Sequence, residues 1–407
     1  MDLAERRRRL ARRHRLGPWV APSVEEAAAS VVAFHATDPA TVYLSALARM
    51  TEPSLGAVDR ALHDNRSLVR ILAMRRTLFV VPTPLLATVE RSSSVAVAAN
   101  ERRRLAGYLA EAGLDDPAAW LAEAAAEVEA ALAEAGDRGL SAREITVRVP
   151  QLAARMTIGA GSPNEVTTGA TSRVLGVLAA EGRLVRGRTA GGWTTRRYQW
   201  HLRHQWLGPD GPPAPMSDGG PSAEDAAAQS ASASAELVER WLRAFGPAPF
   251  DDLKWWTGWT VRQLKAALAV LDVAEVELEG ATVGLAMADD QDPVGAGDGD
   301  DQPWVALLPA LDATPMGWKE RSWYLGDHRE PLFDRSGNIG PTVWVDGRIV
   351  GGWGQRPGGE IAVELLEDIG AERRSLIDGE AERLAGLVGA TRIRPVFPTP
   401  LQRKLSS

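Results

Sequence analysis

The chain has 407 residues, 45% of them hydrophobic, which fills several cores and sets an expectation of about two to four domains. It contains no cysteine, so disulfides and thiolate metal sites are excluded and a reducing cytoplasm is the expected compartment. The formal charge of -7 excludes a simple polycation, so any nucleic-acid reading has to rest on where the charge lies.

At the N-terminus, Arg6-Arg7-Arg8-Arg9 followed by Leu10 lacks the apolar centre of a signal peptide, and no run of about 18 apolar residues occurs later, so neither secretion nor membrane spanning is expected. Ser23 with Glu26 reads as a capping box opening a helix over residues 24–35, with Val24, Ala27, Ala28, Val31 and Val32 as its buried face. A polar corner follows at His35-Ala36-Thr37-Asp38-Pro39. Proline biases Asp38 out of the helical region and itself suits the first turn of a new helix over residues 39–50. Each corner residue has a bland reading beside the functional one. Asp38, or Thr37, is a good helix N-cap, and His35 fits a satisfied core histidine. A further helix over residues 54–63 and strands over 68–73 and 77–81, joined at Met74-Arg75-Arg76, complete the first unit.

An acidic helix carrying Glu123, Glu127 and Glu129 precedes a second unit of the same plan. Ser141 with Glu144 caps a helix through Val149, Asn164 or Thr168 starts a longer helix through Leu178, and Leu184-Val185 with Gly192-Trp193-Thr194 makes a hairpin. Helix, turn, helix and hairpin is the winged-helix order, which places Arg173 on the helix that would enter the major groove and Arg186, Arg188, Arg196 and Arg197 on or beside the wing. Residues 183–206 hold six arginines and no acid, with Trp193, Tyr198, Trp200 and Trp206 among them; together with the Arg75-Arg76 tip they favour DNA as the partner. Residues 208–235, rich in Pro, Gly, Ser and Ala, read as a linker. A third unit follows from Leu237, with a helix over 261–271 and strands over 273–278 and 282–285. Residues 289–302 read as an acidic linker; Asp298, Asp300 and Asp301 lack the spacing of a calcium loop. Beyond it, short strands over 304–308, 342–345, 348–350 and 361–365, an Asp346-Gly347 hairpin signal and a helix over 371–387 indicate a small β-rich domain.

The expected fold class is therefore α+β: winged-helix units over residues 1–90, 91–207 and 236–288, linkers over 208–235 and 289–302, and a β-barrel-like domain over 303–407. His201 and His204 share a metal-binding spacing but have no evident third ligand, and Gly159-Ala160-Gly161 lacks the Gly-Lys-Ser/Thr of a phosphate loop, so no metal and no cofactor is expected. All four lysines, Lys254, Lys265, Lys319 and Lys404, follow the second unit, which disfavours imine chemistry in the early chain. No heptad zipper points to dimerisation, and a monomer is expected.

Several separated stretches carry a family resemblance. They are His35-Ala36-Thr37-Asp38-Pro39 with Tyr43-Leu44, then Met74-Arg75-Arg76-Thr77-Leu78-Phe79-Val80-Val81, Leu307-Leu308-Pro309-Ala310-Leu311-Asp312 and Gly347-Arg348-Ile349-Val350-Gly351. In this order they resemble the bacterial AlkZ/YcaQ winged-helix DNA glycosylases over nearly the whole chain. The resemblance implies tandem winged helices with a C-terminal β-barrel forming a DNA-binding channel, and removal of N7-alkylated purines, including bulky adducts and interstrand crosslinks, from double-stranded DNA. Where that family carries Gln-x-Gln or Gln-x-Asp, this chain has His35-Ala36-Thr37 followed by Asp38. The expected catalytic set is thus His35, Thr37 and Asp38, with Arg75, Arg76, Arg173, Arg186, Arg188, Arg196 and Arg197 on DNA. The alternative is a DNA-binding protein or regulator that keeps the fold without the chemistry.

Overall fold

The computed structural model describes residues 1–159, 161, 165–215, 222–280, 282–290 and 302–407. They form two compact units, one of residues 1–68, 79–82 and 235–407, the other of 69–78 and 83–234. Helices alternate with small, largely antiparallel sheets, an α+β arrangement.

In the first unit, helix Pro39–Leu47 is buried along its whole length, so it is central rather than amphipathic, and its polar Thr41 and Ser45 must find partners inside. The preceding helix is shorter than its apolar spacing predicts. It spans Val24–Ser30, and the chain then turns through Val32 at a φ of 65° so that Phe34–His35 becomes a two-residue strand. Two effects end it. The Ser30 hydroxyl donates back to the Ala27 carbonyl, and beyond the turn Phe34 and His35 pair with Val80 and Phe79, which requires the chain to leave the helix; β-branched Val32 takes its positive φ in spite of its own preference. Helix Leu55–Asp59 and a wider turn over Arg60–Asp64 follow.

The 208–235 segment is not a linker throughout. Helix Ala223–Phe245 runs for 23 residues, opened by the Ser222 hydroxyl, which accepts from the Asp225 N–H. Its Ala- and Ser-rich composition resembles low complexity, yet alanine is the best helix former, and Leu237, Val238, Trp241 and Leu242 anchor the far half in the core. Helix Val261–Leu268 and the hairpin of Val273–Leu278 with Thr282–Met287 lie where the sequence predicts a helix over 261–271 and strands over 273–278 and 282–285, and helix Phe250–Thr257 precedes them. Residues 291–301, including Asp298, Asp300 and Asp301, lie outside the described residues.

The C-terminal sheet is an open ribbon of four strands, Val305–Leu308, Thr342–Val345, Arg348–Gln355 and Ile361–Leu365, each paired with the next. The expected barrel is not formed: the first and last strands do not pair, and among the described residues no closed barrel occurs. Helix Ala371–Val388 packs against both edge strands, covering apolar surface that closure would otherwise bury. Asp346 and Gly347 take positive φ, 47° and 82°, as the hairpin signal requires.

The second unit packs helices Val95–Glu111, Pro117–Ala135, Ala142–Arg148 and Thr171–Ala180 around Leu105, Leu121, Val128, Ile145, Leu175 and Leu178. The Ser141–Glu144 capping box is present in full. The long helix starts at Thr171, later than Thr168, because Val166–Gly169 pairs with Arg155–Ile158; its β-branched run Val166-Thr167-Thr168 prefers a strand. Asn164 lies outside the described residues. The hairpin expected here is built from strands Leu184–Thr189 and Tyr198–Leu202, so Gly192-Trp193-Thr194 is connecting loop rather than strand. Gly191 and Gly192, at φ of 94° and 92°, supply the bend there.

Candidate functional site

The polar corner is built by competing demands on a few residues. Asp38 sits in extended backbone and one carboxylate oxygen accepts from the Ala40 N–H at 3.0 Å, so the capping reading holds. Its second oxygen accepts from the Val396 N–H at 3.3 Å, and the residue is only 4% exposed. His35, 7% exposed, stands edge-on to Phe79 with ring centres 5.7 Å apart. Thr37 is half-buried, and it is the corner residue with the most access to solvent. A cavity of about 10 Å³ lies against Asp38, Thr41, Trp353 and Gln355, room for roughly one water.

Behind the corner, residues at every fourth position dock the helix onto one segment. The Thr41 hydroxyl donates to the Ala310 carbonyl at 2.7 Å, and that of Ser45 to Asp312 at 2.5 Å. Arg49, just past the helix, forms a two-pronged pair with Asp312 at 2.6 and 2.9 Å and donates to the Thr314 hydroxyl at 2.7 Å. Burial pushes the Asp312 carboxyl up, but Arg49 and the surrounding donors hold it below the usual range. These partners were readable only in part. Asp312 belongs to a noticed motif, while the spacing of Thr41, Ser45 and Arg49 marks one helix face without saying what covers it.

The second unit carries the basic residues, and it divides them. Arg75 and Arg76 occupy the hairpin corner at φ of 53° and 57°, with Arg76 paired to Glu101 at 2.6 Å. Arg173 lines a pocket of about 210 Å³ with Arg76, Arg104 and Tyr108. Arg188, Arg196 and Arg197 are exposed on the hairpin of strands Leu184–Thr189 and Tyr198–Leu202 and its connecting loop. Arg186 instead stacks on Trp200, 4.7 Å from its ring centre. The other two arginines of the run have acids from elsewhere in the chain. Arg183 pairs with Glu129 at 2.7 Å, and Arg203 is buried against Glu90, with one of its contacts at 2.9 Å. The absence of acids within residues 183–206 thus does not leave the whole run unbalanced. His201 is buried beside Trp206 and His204 is exposed, and among the described residues no cluster of potential metal ligands occurs. Nor is any helix of the described residues long and apolar enough to cross a membrane.

The protein thus has a polar corner held by two segments distant in sequence and, in its second unit, a hairpin bearing exposed arginines. The family model of AlkZ-like DNA glycosylases matches residues 28–387, and the chain belongs to that family of DNA-acting enzymes. In fold it is similar to the Streptomyces sahachiroi DNA glycosylase AlkZ, with a TM-score of 0.69 and 18% identity over 97% of this chain and 98% of that one. A comparison with curated proteins finds no match.

Proposed function

We propose that the chain is a monofunctional DNA glycosylase that hydrolyses the N-glycosidic bond of N7-alkylated purines in double-stranded DNA, bulky adducts and interstrand crosslinks among them, and acts as a monomer without metal or cofactor. The observation carrying this reading is the match of the family over residues 28–387, which includes the corner and the segment that anchors it. Three successive sets of helices and a hairpin support tandem winged helices within the α+β fold, with Arg75, Arg76, Arg173, Arg186, Arg188, Arg196 and Arg197 directed to DNA.

An N7-alkylated purine is already cationic and leaves as a neutral base. The protein therefore has to place a water and stabilise positive charge developing on the sugar rather than protonate the leaving group. In this reading Thr37, the most accessible of the three, orients the water, His35 takes its proton, and Asp38 supplies a fixed negative charge. Two backbone N–H groups already hold that carboxylate in place, so little reorganisation accompanies the reaction. No lysine lies in the second unit or beside the corner in sequence, so the product is an intact abasic site.

The same two N–H contacts favour one rival, a DNA-binding protein without catalysis, because they give Asp38 a complete structural reason to be there. Release of base separates the two. Incubating the pure protein with a duplex containing N7-methylguanine, and with a crosslinked duplex, should free base and leave no imine that borohydride can trap. Duplex binding without base release from either substrate would favour the rival.

A further inference from the structure

Arg70, which is buried, and Arg186, half-buried with its Nη1 fully covered, lie near one another in the second unit without an acid to pair with. Arg70, on strand Leu68–Ala73, is only 4% exposed and lies 5.4 Å from the ring centre of Tyr198. Arg186 lies on strand Leu184–Thr189 of a different sheet, paired opposite Trp200 and stacked on it. Among the described residues neither guanidinium has a hydrogen bond or an ion pair, and three of the group's polar atoms, Arg70 Nε, Arg186 Nη1 and the Tyr198 hydroxyl, are buried without a partner. The contrast with Arg203 is direct, since it is as buried as Arg70 and pairs with Glu90.

Two like charges and a phenol gathered in a desolvated place are unfavourable by themselves. Burial lowers Arg186 to about 10, and although the Tyr198 phenol acts to raise it, the charge of Arg70 adds to the lowering. The rings supply cation–π attraction, which leaves the N–H groups unsatisfied. A tetrahedral oxyanion would answer all of these deficits together, with a negative charge between two guanidiniums and oxygens to accept from them and from the Tyr198 hydroxyl.

We propose that Arg70, Arg186 and the Tyr198 hydroxyl form a binding site for one phosphate group. The site rests partly on the glycosylase reading, which makes a backbone phosphate of DNA one source, whereas free phosphate offers the same chemistry.

The test uses the full chain, with inorganic phosphate and an undamaged duplex as separate probes. Phosphate should raise the melting temperature of the parent saturably at constant ionic strength, where chloride does not. Arg186→Gln should abolish that rise. Tyr198→Phe, which keeps the ring and removes only the hydroxyl, should weaken the apparent phosphate affinity by about fivefold, the worth of one hydrogen bond. With duplex, Arg186→Gln should flatten the dependence of log affinity on log salt by about one unit. Either response supports the site: phosphate alone assigns it to free phosphate, and the duplex slope assigns it to the DNA backbone. If phosphate has no saturable effect on the parent and both variants keep the parental duplex slope, the arginines are packing on aromatic rings and the proposal is wrong. Base release by the parent is scored separately, so a failed phosphate site and a failed glycosylase reading are told apart.

Discussion

Arg49 and Asp312 meet at 2.6 Å with neither side chain exposed, joining the end of the corner helix to a segment more than 260 residues later in the chain. Removing one partner leaves a desolvated charge with no counter-ion. Asp312→Ala should therefore lower stability by about 3–5 kcal/mol, whereas replacing both residues with apolar ones of similar volume should recover much of that loss. Urea denaturation of the single and double variants checks this, and a single variant as stable as the parent would show the pair to be dispensable.

The network extends to His14, which predicts how stability varies with acid. Ala244 offers only a carbonyl, so His14 Nε2 donates to it at 3.1 Å, and Nδ1 is left to accept from the Thr314 hydroxyl at 2.9 Å. Burial pushes the imidazole down from 6.5 to about 3, with Arg49 acting in the same direction. Between those values the unfolded chain binds a proton that the folded one refuses. This contribution is complete above pH 6.5 and is lost as pH falls toward 3, by up to about 1.4 kcal/mol per pH unit. Urea midpoints between pH 7 and 5 should fall more steeply for the parent than for His14→Gln; parallel slopes would contradict the assignment.

Asp38 offers a separation of roles. Asparagine can keep the cap to the Ala40 N–H, but its one oxygen leaves the Val396 N–H facing an amide NH2, so Asp38→Asn should lose about 1 kcal/mol and Asp38→Ala, which removes both acceptors, about 2 kcal/mol, each remaining folded. Base release by Asp38→Asn should nonetheless fall by about a hundredfold or more, and Thr37→Ala and His35→Ala should behave alike. Full activity in all three would remove the corner from the chemistry while leaving the family assignment in place.

Along residues 183–206, exposed and paired arginines should respond differently. Reversing charge at Arg196 and Arg197 should leave melting unchanged and flatten the salt dependence of duplex binding by about one unit per lost contact. Arg203→Ala should instead cost about 3–5 kcal/mol of stability, because it strands the Glu90 carboxylate in the core. A destabilised Arg196/Arg197 variant would mean that these side chains support the hairpin instead of a ligand.

How much was legible follows from the range of the interactions. Ser141 with Glu144, Asp38 before Pro39 and Asp346-Gly347 are local signals, and each is satisfied within a few residues. The early end of the helix at Ser30 was hidden because pairing with Val80 and Phe79 decides it, from more than forty residues away. Long-range partners also separate the arginines: residues 183–206 hold six with no acid between them, while Glu129 and Glu90 reach Arg183 and Arg203 only after folding. In the alanine-rich helix Ala223–Phe245 the sequence signal works the other way, since low complexity resembles a linker while alanine's high helix propensity favours a helix. At the corner, the sequence locates His35, Thr37 and Asp38, but the second contact of Asp38, to Val396, comes from the far end of the chain.

The two left-handed arginines at the hairpin corner set rigidity against recognition. A turn with positive φ at both central residues is most comfortably made from Asn-Gly, and holding a residue with a long side chain there costs roughly 1 kcal/mol or more. Substituting Asn and Gly at positions 75 and 76 would relax the backbone and erase both charges together. Selection of this chain for heat resistance alone would then drift toward a better-made hairpin with a neutral tip, so a screen for hardier variants needs a duplex-binding measurement beside the thermometer.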